Sequence, residues 1–177
     1  MVAQASRAHK MLVPQSGWAE HRTKIYDDTA RILTSTSFLM LRLTGMYVID
    51  HFTAANFSPL YDVANQSWVD DLADDIIDLA ILPSLMWSSD IVGGVPCAAA
   101  DATGLAEGTP VTTGTIDATA EALSVGVSDQ GDMMMYGSTI FIVLRTDARV
   151  TDPKLWYAPW LLKDEHASLA SLQPAER

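Results

Sequence analysis

From Leu43 to Leu144 the chain carries no lysine or arginine, yet it holds fourteen aspartates and glutamates. A carboxylate there has no cationic partner within the stretch. It must be solvated, hydrogen-bonded, or met by a base from one of the ends. The bases sit at those ends. Residues 1–42 carry six (Arg7, Lys10, Arg22, Lys24, Arg31 and Arg42) against three acids, and residues 145–177 carry five of each. The formal net charge of −11 therefore belongs to the middle of the chain.

That partition excludes several classes. A face that binds nucleic acid presents clustered Lys and Arg to phosphate. The base-free middle repels phosphate, so no sequence-specific nucleic-acid binding is expected, and an anionic membrane surface is disfavoured for the same reason. The one cysteine, Cys97, permits no intrachain disulfide and no Cys-x-x-Cys pair. Its lone presence points to synthesis in the reducing cytoplasm. Met1 to Gly17 lacks the apolar core of a signal peptide. The most apolar stretch, 32–52, contains Arg42 and Asp50, and its uninterrupted part is too short to span a bilayer. A hydrophobic content of 49% predicts a folded core rather than disorder.

The hydropathy pattern predicts an α+β fold with a helical N-terminal half, then a β-hairpin or small antiparallel sheet, with extended N- and C-terminal arms. Residues 1–17 read as an arm. Residues 18–152 read as one domain, helical over 18–87, a glycine-rich loop over 88–114 and β-rich over 115–152. Residues 153–177 read as an aromatic tail closing in a short polar helix. Trp18, Ile25, Ile32 and Leu33 share a helical face over 18–35. Thr34 to Ser37 interrupts it, and Phe38–Phe52, divided by Gly45, fits either a buried helix or two short strands, with helix favoured by its unbranched residues. Ser67-Trp68-Val69-Asp70 has the form of a capping box opening a helix that runs to Pro83. Leu123, Val125 and Val127 alternate with small residues and predict a strand. A turn over 128–132 joins it to a second strand, Met133 to Leu144, with Gly137 as a bulge.

The chemistry-bearing motif is the acidic helix face. Asp70 and Asp74 would project the same way from a helix and could hold a divalent cation with Asp71. Asp70-Asp71-Leu72-Ala73-Asp74 resembles the D-D-x-x-D motif of prenyl-diphosphate and terpene synthases, which implies Mg²⁺ bridging a diphosphate. The resemblance covers five residues. Such enzymes also need basic side chains for the diphosphate, which residues 43–144 do not supply. A solvated acidic face is the plainer reading, and no cofactor is expected. The histidines His9, His21, His51 and His166 lack ligand spacing, and Cys97 has no basic neighbour to activate it. Trp156, Tyr157 and Trp160, kept from a regular helix by Pro153 and Pro159, either plug their own core or dock into a neighbour.

With no catalytic constellation, these features predict a non-enzymatic structural subunit of a large assembly, a viral or phage capsid or tail component. Its partners would be protein subunits, met through Arg7, Lys10 and the aromatic tail. The alternatives are a cation-dependent small-molecule enzyme using Asp70–Asp78, and a binding module docking through the tail.

Overall fold

The computed structural model describes residue 24 and residues 27–70, 77–128, 131–137 and 140–172. The fold is mixed α+β, with small sheets and few helices among these residues. The arm over 1–17, with Arg7 and Lys10, lies outside the described residues, as do Trp18 and Ile25. The helix expected over 18–35 is over by Asp28, whose N–H donates to the Lys24 carbonyl at 3.2 Å; residues 29–34 are not helical.

The interruption at Thr34–Ser37 is a helix start. Thr34 is extended, and its Oγ1 accepts the Ser37 N–H at 3.2 Å, which opens α1 (Ser35–Thr44). Gly45, at φ 78°, closes α1 by donating to the Leu41 carbonyl at 2.9 Å. The helix expected through Phe52 therefore stops at Gly45. Beyond it, Val48 and Ile49 suit a pleated backbone and form β1 (Val48–Asp50), buried throughout. A four-residue turn of helix, α2 (His51–Ala54), and a 3₁₀ turn (Ala55–Phe57) follow.

The expected capping box is a strand. Here β2 (Tyr61–Asp62) and β3 (Ser67–Trp68) form a short hairpin. Asp62 accepts the Ala64 and Asn65 N–H groups in the turn, and these bonds hold its carboxyl below the usual range. The Tyr61 and Trp68 rings meet edge to face at 5.8 Å, and Trp68 Nε1–H donates to the Pro83 carbonyl at 2.9 Å. These tertiary contacts outweigh the local capping signal. Asp78 caps a 3₁₀ turn (Leu79–Ile81), and β4 (Ser84–Met86) then pairs parallel with β1.

The supposed loop 88–114 is structured. It contains β5 (Ile91–Gly94), α3 (Cys97–Thr103) and β6 (Pro110–Thr112), with β5 antiparallel to β6. The strand expected at Leu123–Val127 is the end of a helix, α4 (Asp117–Ser124). Ala118, Ala120 and Ala122 favour helix there, and Leu123 and Val125 are exposed rather than inward-facing. The true hairpin is β7 (Gly131–Tyr136) with β8 (Ile140–Thr146), so Gly137 falls at its turn rather than at a bulge. The tail is not an arm. It supplies β9 (Trp156–Pro159) and β10 (His166–Leu172), giving a four-stranded antiparallel sheet of order β7-β8-β10-β9. The closing helix expected there is β10.

Two apolar cores result. Phe52, Ala122, Val127, Val143, Trp160, Ala167 and Leu169 belong to one, between α4 and the four-stranded sheet. Ile49, Ala54, Phe57, Leu60, Tyr61, Ile77 and Leu82 belong to the other. The segment Ile49–Ala54 contributes to both, so Asp50 and His51 lie at the seam between them.

Candidate functional site

The seam is polar. Asp50, 2% exposed, ends β1 and caps α2. Its Oδ2 accepts the Thr53 N–H at 3.2 Å, the Ser88 hydroxyl at 3.3 Å and the Thr115 hydroxyl at 2.9 Å. Burial pushes this carboxyl above the usual range, while the hydrogen bonds from Thr53, Thr115 and Ser88 pull it back.

His51 lies beside it. Its Nδ1 is 2.7 Å from the Tyr61 hydroxyl, and its ring lies 4.3 Å from that of Trp87. Burial pushes the imidazole down and the nearby Asp90 carboxylate opposes that. Burial pushes the Tyr61 hydroxyl upward, with Tyr157, Asp50 and Asp62 adding to the effect. Both shifts favour one arrangement, in which a protonated Tyr61 donates to a neutral His51.

Segment 113–117 crosses this seam. The Thr113 N–H donates to the Asp90 carbonyl at 2.9 Å, and the Gly114 N–H donates to the Ser88 carbonyl at 3.0 Å. The Thr36 hydroxyl of α1 donates to the Thr115 carbonyl at 3.1 Å. Gly114 has φ +70°, and a Cβ there would stand 3.2 Å from Thr36 Cγ2. Glycine thus provides both the backbone conformation and the close approach. The segment delivers Asp117 to the first turn of α4, exposed, with Oδ1 accepting the Ala118 N–H at 2.8 Å. The buried Asp50 carboxylate is therefore hydrogen-bonded to Thr115, two residues before the open carboxylate of Asp117.

The residues singled out from sequence lie elsewhere. Asp70 is exposed at a bend, while Asp71 and Asp74 fall outside the described residues. Among the described residues no group of three or more His, Cys, Asp or Glu could hold a metal ion. Trp160 and Tyr157 are 1% and 6% exposed and fold into their own molecule. The Tyr157 hydroxyl is 2.8 Å from His166 Nδ1, and the Trp156 ring packs 5.7 Å from that of Phe141. The tail thus takes the core-plugging arrangement of the two. Among the described residues no helix is long and apolar enough to cross a membrane.

Residues 17–124 match the model of the FGGY family of carbohydrate kinases, N-terminal domain. The chain belongs to this family. It is 31% identical over 131 residues to the autoinducer-2 kinase of Enterobacter sp. (strain 638), covering 73% of this chain and 24% of that protein. It is 28% identical over 134 residues to the xylulose kinase of Bacillus subtilis (strain 168), covering 75% and 27%. The crystal structure of xylulose kinase from Rhodospirillum rubrum shares the fold, with a TM-score of 0.80 and 24% identity over 91% of this chain and 33% of that one. The chain thus spans about a quarter of the length of the curated relatives it matches.

Membership overturns the structural-subunit reading. A carbohydrate kinase family is a family of enzymes, so the expectations of a non-enzymatic protein and of a place in a virion are both withdrawn. Among the described residues of the base-free middle, the buried carboxylate of Asp50 is met by hydroxyl and N–H donors rather than by a base. Sequence reasoning missed Asp50, Ser88, Thr115 and Asp117. One signal was present: Asp50 is a lone acid inside the apolar run Tyr47-Val48-Ile49-Asp50-His51-Phe52.

Proposed function

We propose that this chain forms the acceptor side of a carbohydrate kinase, holding a neutral polyhydroxy substrate against the Asp117 carboxylate. Family membership supplies the reaction class, and the observation that carries the site is the open Asp117 carboxylate beside the polar seam. Transfer of a phosphoryl group to a hydroxyl needs a carboxylate to receive the hydroxyl proton. The acceptor oxygen forms its bond to the γ-phosphorus, the bond from that phosphorus to the β,γ-bridging oxygen of a nucleoside triphosphate breaks, and the proton passes to Asp117. Of the carboxylates at the seam, Asp50 is buried and engaged by three donors, and an Oδ2 of Asp90 accepts the Trp87 N–H at 2.9 Å. Asp117 is open to a ligand.

Charge supports the same division of labour. A stretch without Lys or Arg suits an uncharged sugar and not a triphosphate. The names of the relatives point to xylulose or a sugar of similar size as the acceptor.

The test is a titration of the chain with xylulose and a panel of neutral polyols, followed by tryptophan fluorescence, alongside ADP release with Mg·ATP. Saturable binding of at least one neutral sugar is expected. Asp117→Ala should weaken it roughly 10- to 100-fold, the range for a hydrogen bond to a charged group. Asp117→Asn should lower sugar-dependent ADP release on the order of 100-fold or more. Failure to bind any neutral sugar at millimolar concentration, or binding indifferent to Asp117→Ala, would overturn the reading.

A further inference from the structure

The seam contains a charged group that the proposed chemistry does not use. Asp50 is almost fully buried, and its three donors, all neutral, converge on one oxygen. A buried carboxylate is a poor device for stability alone, since an apolar or neutral replacement avoids its desolvation. Its geometry indicates a different use. The donors come from three separate places: the first turn of α2, the loop after β4, and the segment leading into α4. Ser88 and Thr115 are 38 and 65 residues from Asp50 in sequence. The same two loops are joined to each other by main-chain bonds from Gly114 to Ser88 and from Thr113 to Asp90. Three hydrogen bonds aimed at one oxygen suit an anion. A neutral amide would offer these three donors one carbonyl oxygen with two lone pairs and no charge.

We propose that Asp50 is a positioning residue: by holding Ser88 and Thr115 on one carboxylate oxygen, it fixes segment 113–117 and so sets the direction in which Asp117 faces the acceptor hydroxyl. The role rests on the kinase reading of Asp117 given above, but the alignment itself is a property of this chain and can be measured without turnover. Thr115 is the relay. Its hydroxyl is committed to Asp50 and its carbonyl to Thr36, so both sides of the residue just upstream of Ile116 and Asp117 are tied. Freeing the hydroxyl lets the start of α4 shift, and a misplacement of about 1 Å costs up to 100-fold in rate.

The experiment compares Asp50→Asn, Thr115→Val, Thr115→Ser and the unmodified 177-residue chain. The first readout is NMR: the Ala118 amide, which donates to Asp117 Oδ1, and the pH titration of the Asp117 carboxyl carbon. The second is the split of kcat and KM for the sugar that the chain turns over. Thr115→Val and Asp50→Asn are expected to move the Ala118 amide and the Asp117 titration, with kcat down roughly 10- to 100-fold and KM within about twofold. Thr115→Ser should restore both. Should Asp50→Asn fail to fold, the near-isosteric Thr115→Val carries the test. A folded Thr115→Val chain with unshifted Ala118 and Asp117 signals would overturn the proposal and leave Asp50 a purely structural group. If the unmodified chain turns over no sugar, the kinase reading fails separately, and the NMR comparison still decides whether Asp50 aligns Asp117.

Discussion

In the sheet of β7, β8, β10 and β9, seven consecutive residues of β10 face seven of β8, from His166 opposite Thr146 to Leu172 opposite Ile140. At the Asp50 seam, the paired strands β1 and β4 are three residues each, and much of the holding is done by side chains. The sheet satisfies its backbone by a repeating ladder, so its stability is spread over many equivalent bonds and over the apolar core beneath it. The seam concentrates its order in one carboxylate, one imidazole and a few hydroxyls. Loss in the sheet should therefore scale with the apolar area removed. Loss at the seam should depend on conformation and charge at single atoms.

The sharpest test of the first half of that comparison is Trp160. It is 1% exposed, its ring meets Phe52 edge to face at 5.9 Å, and the Arg145 guanidinium lies 5.3 Å from its centroid. Trp160→Ala should cost about 3–5 kcal/mol, the range for removing a buried aromatic. Urea unfolding followed by circular dichroism measures it. A loss under about 1 kcal/mol would show that the sheet core collapses around the gap and that Phe52 does not depend on it.

The next effect tests the seam. Gly114→Ala places a Cβ at φ +70° and 3.2 Å from Thr36 Cγ2, so about 1–3 kcal/mol should be lost. Gly104 provides the control, with φ +78° and nothing within 4 Å of its virtual Cβ. Both substitutions pay the left-handed backbone penalty, and only Gly114→Ala adds the contact. Equal losses by thermal denaturation would mean that α1 and segment 113–117 are not held as closely as the Thr36 hydrogen bond indicates.

The same division explains what could be read from the sequence. The apolar run Met133–Leu144 revealed β character, but the single strand expected there is two strands, β7 and β8. Their turn was misplaced: Gly137 punctuates the hairpin, whereas the more obvious turn signal at 128–132 precedes β7. Helix α1 was marked at both ends by Thr34 and Gly45. These were obscured because the apolar residues beyond Gly45 continued the hydrophobic pattern into β1. Ser67–Asp70 showed the opposite failure, where a valid local capping pattern lost to the ring of Tyr61 across a hairpin. The seam left almost no trace. Asp50, Ser88 and Thr115 are meaningful only together, and nothing in their local spacing says that they meet. Family membership was hidden for a related reason, since the match extends over residues 17–124.

The smallest predicted effect concerns charge at the seam and comes from His51. Burial holds its imidazole below the ordinary pKa of 6.5 in the folded chain, with Asp90 opposing the shift. In the unfolded chain the ring titrates near its ordinary value. Above pH 6.5 both states are neutral at this site, and its contribution to stability is complete. As the pH falls below 6.5 the unfolded chain takes up a proton that the folded chain refuses, so stability declines until the folded pKa is passed. The slope for one proton cannot exceed about 1.4 kcal/mol per pH unit. Asp50 acts in the reverse sense, because its raised carboxyl pKa makes folding more favourable as the pH falls towards 3.8. Urea midpoints measured downward from pH 7 should therefore fall less steeply in His51→Gln than in the unmodified chain. The difference between the two curves isolates His51 from the remaining histidines and from Asp50. Identical slopes would show that His51 is protonated as readily in the fold as in the unfolded chain, and that Tyr61 does not hold it neutral. A purely apolar contact in the sheet core would give no such pH-linked difference, which is what separates the seam from the ladder beside it.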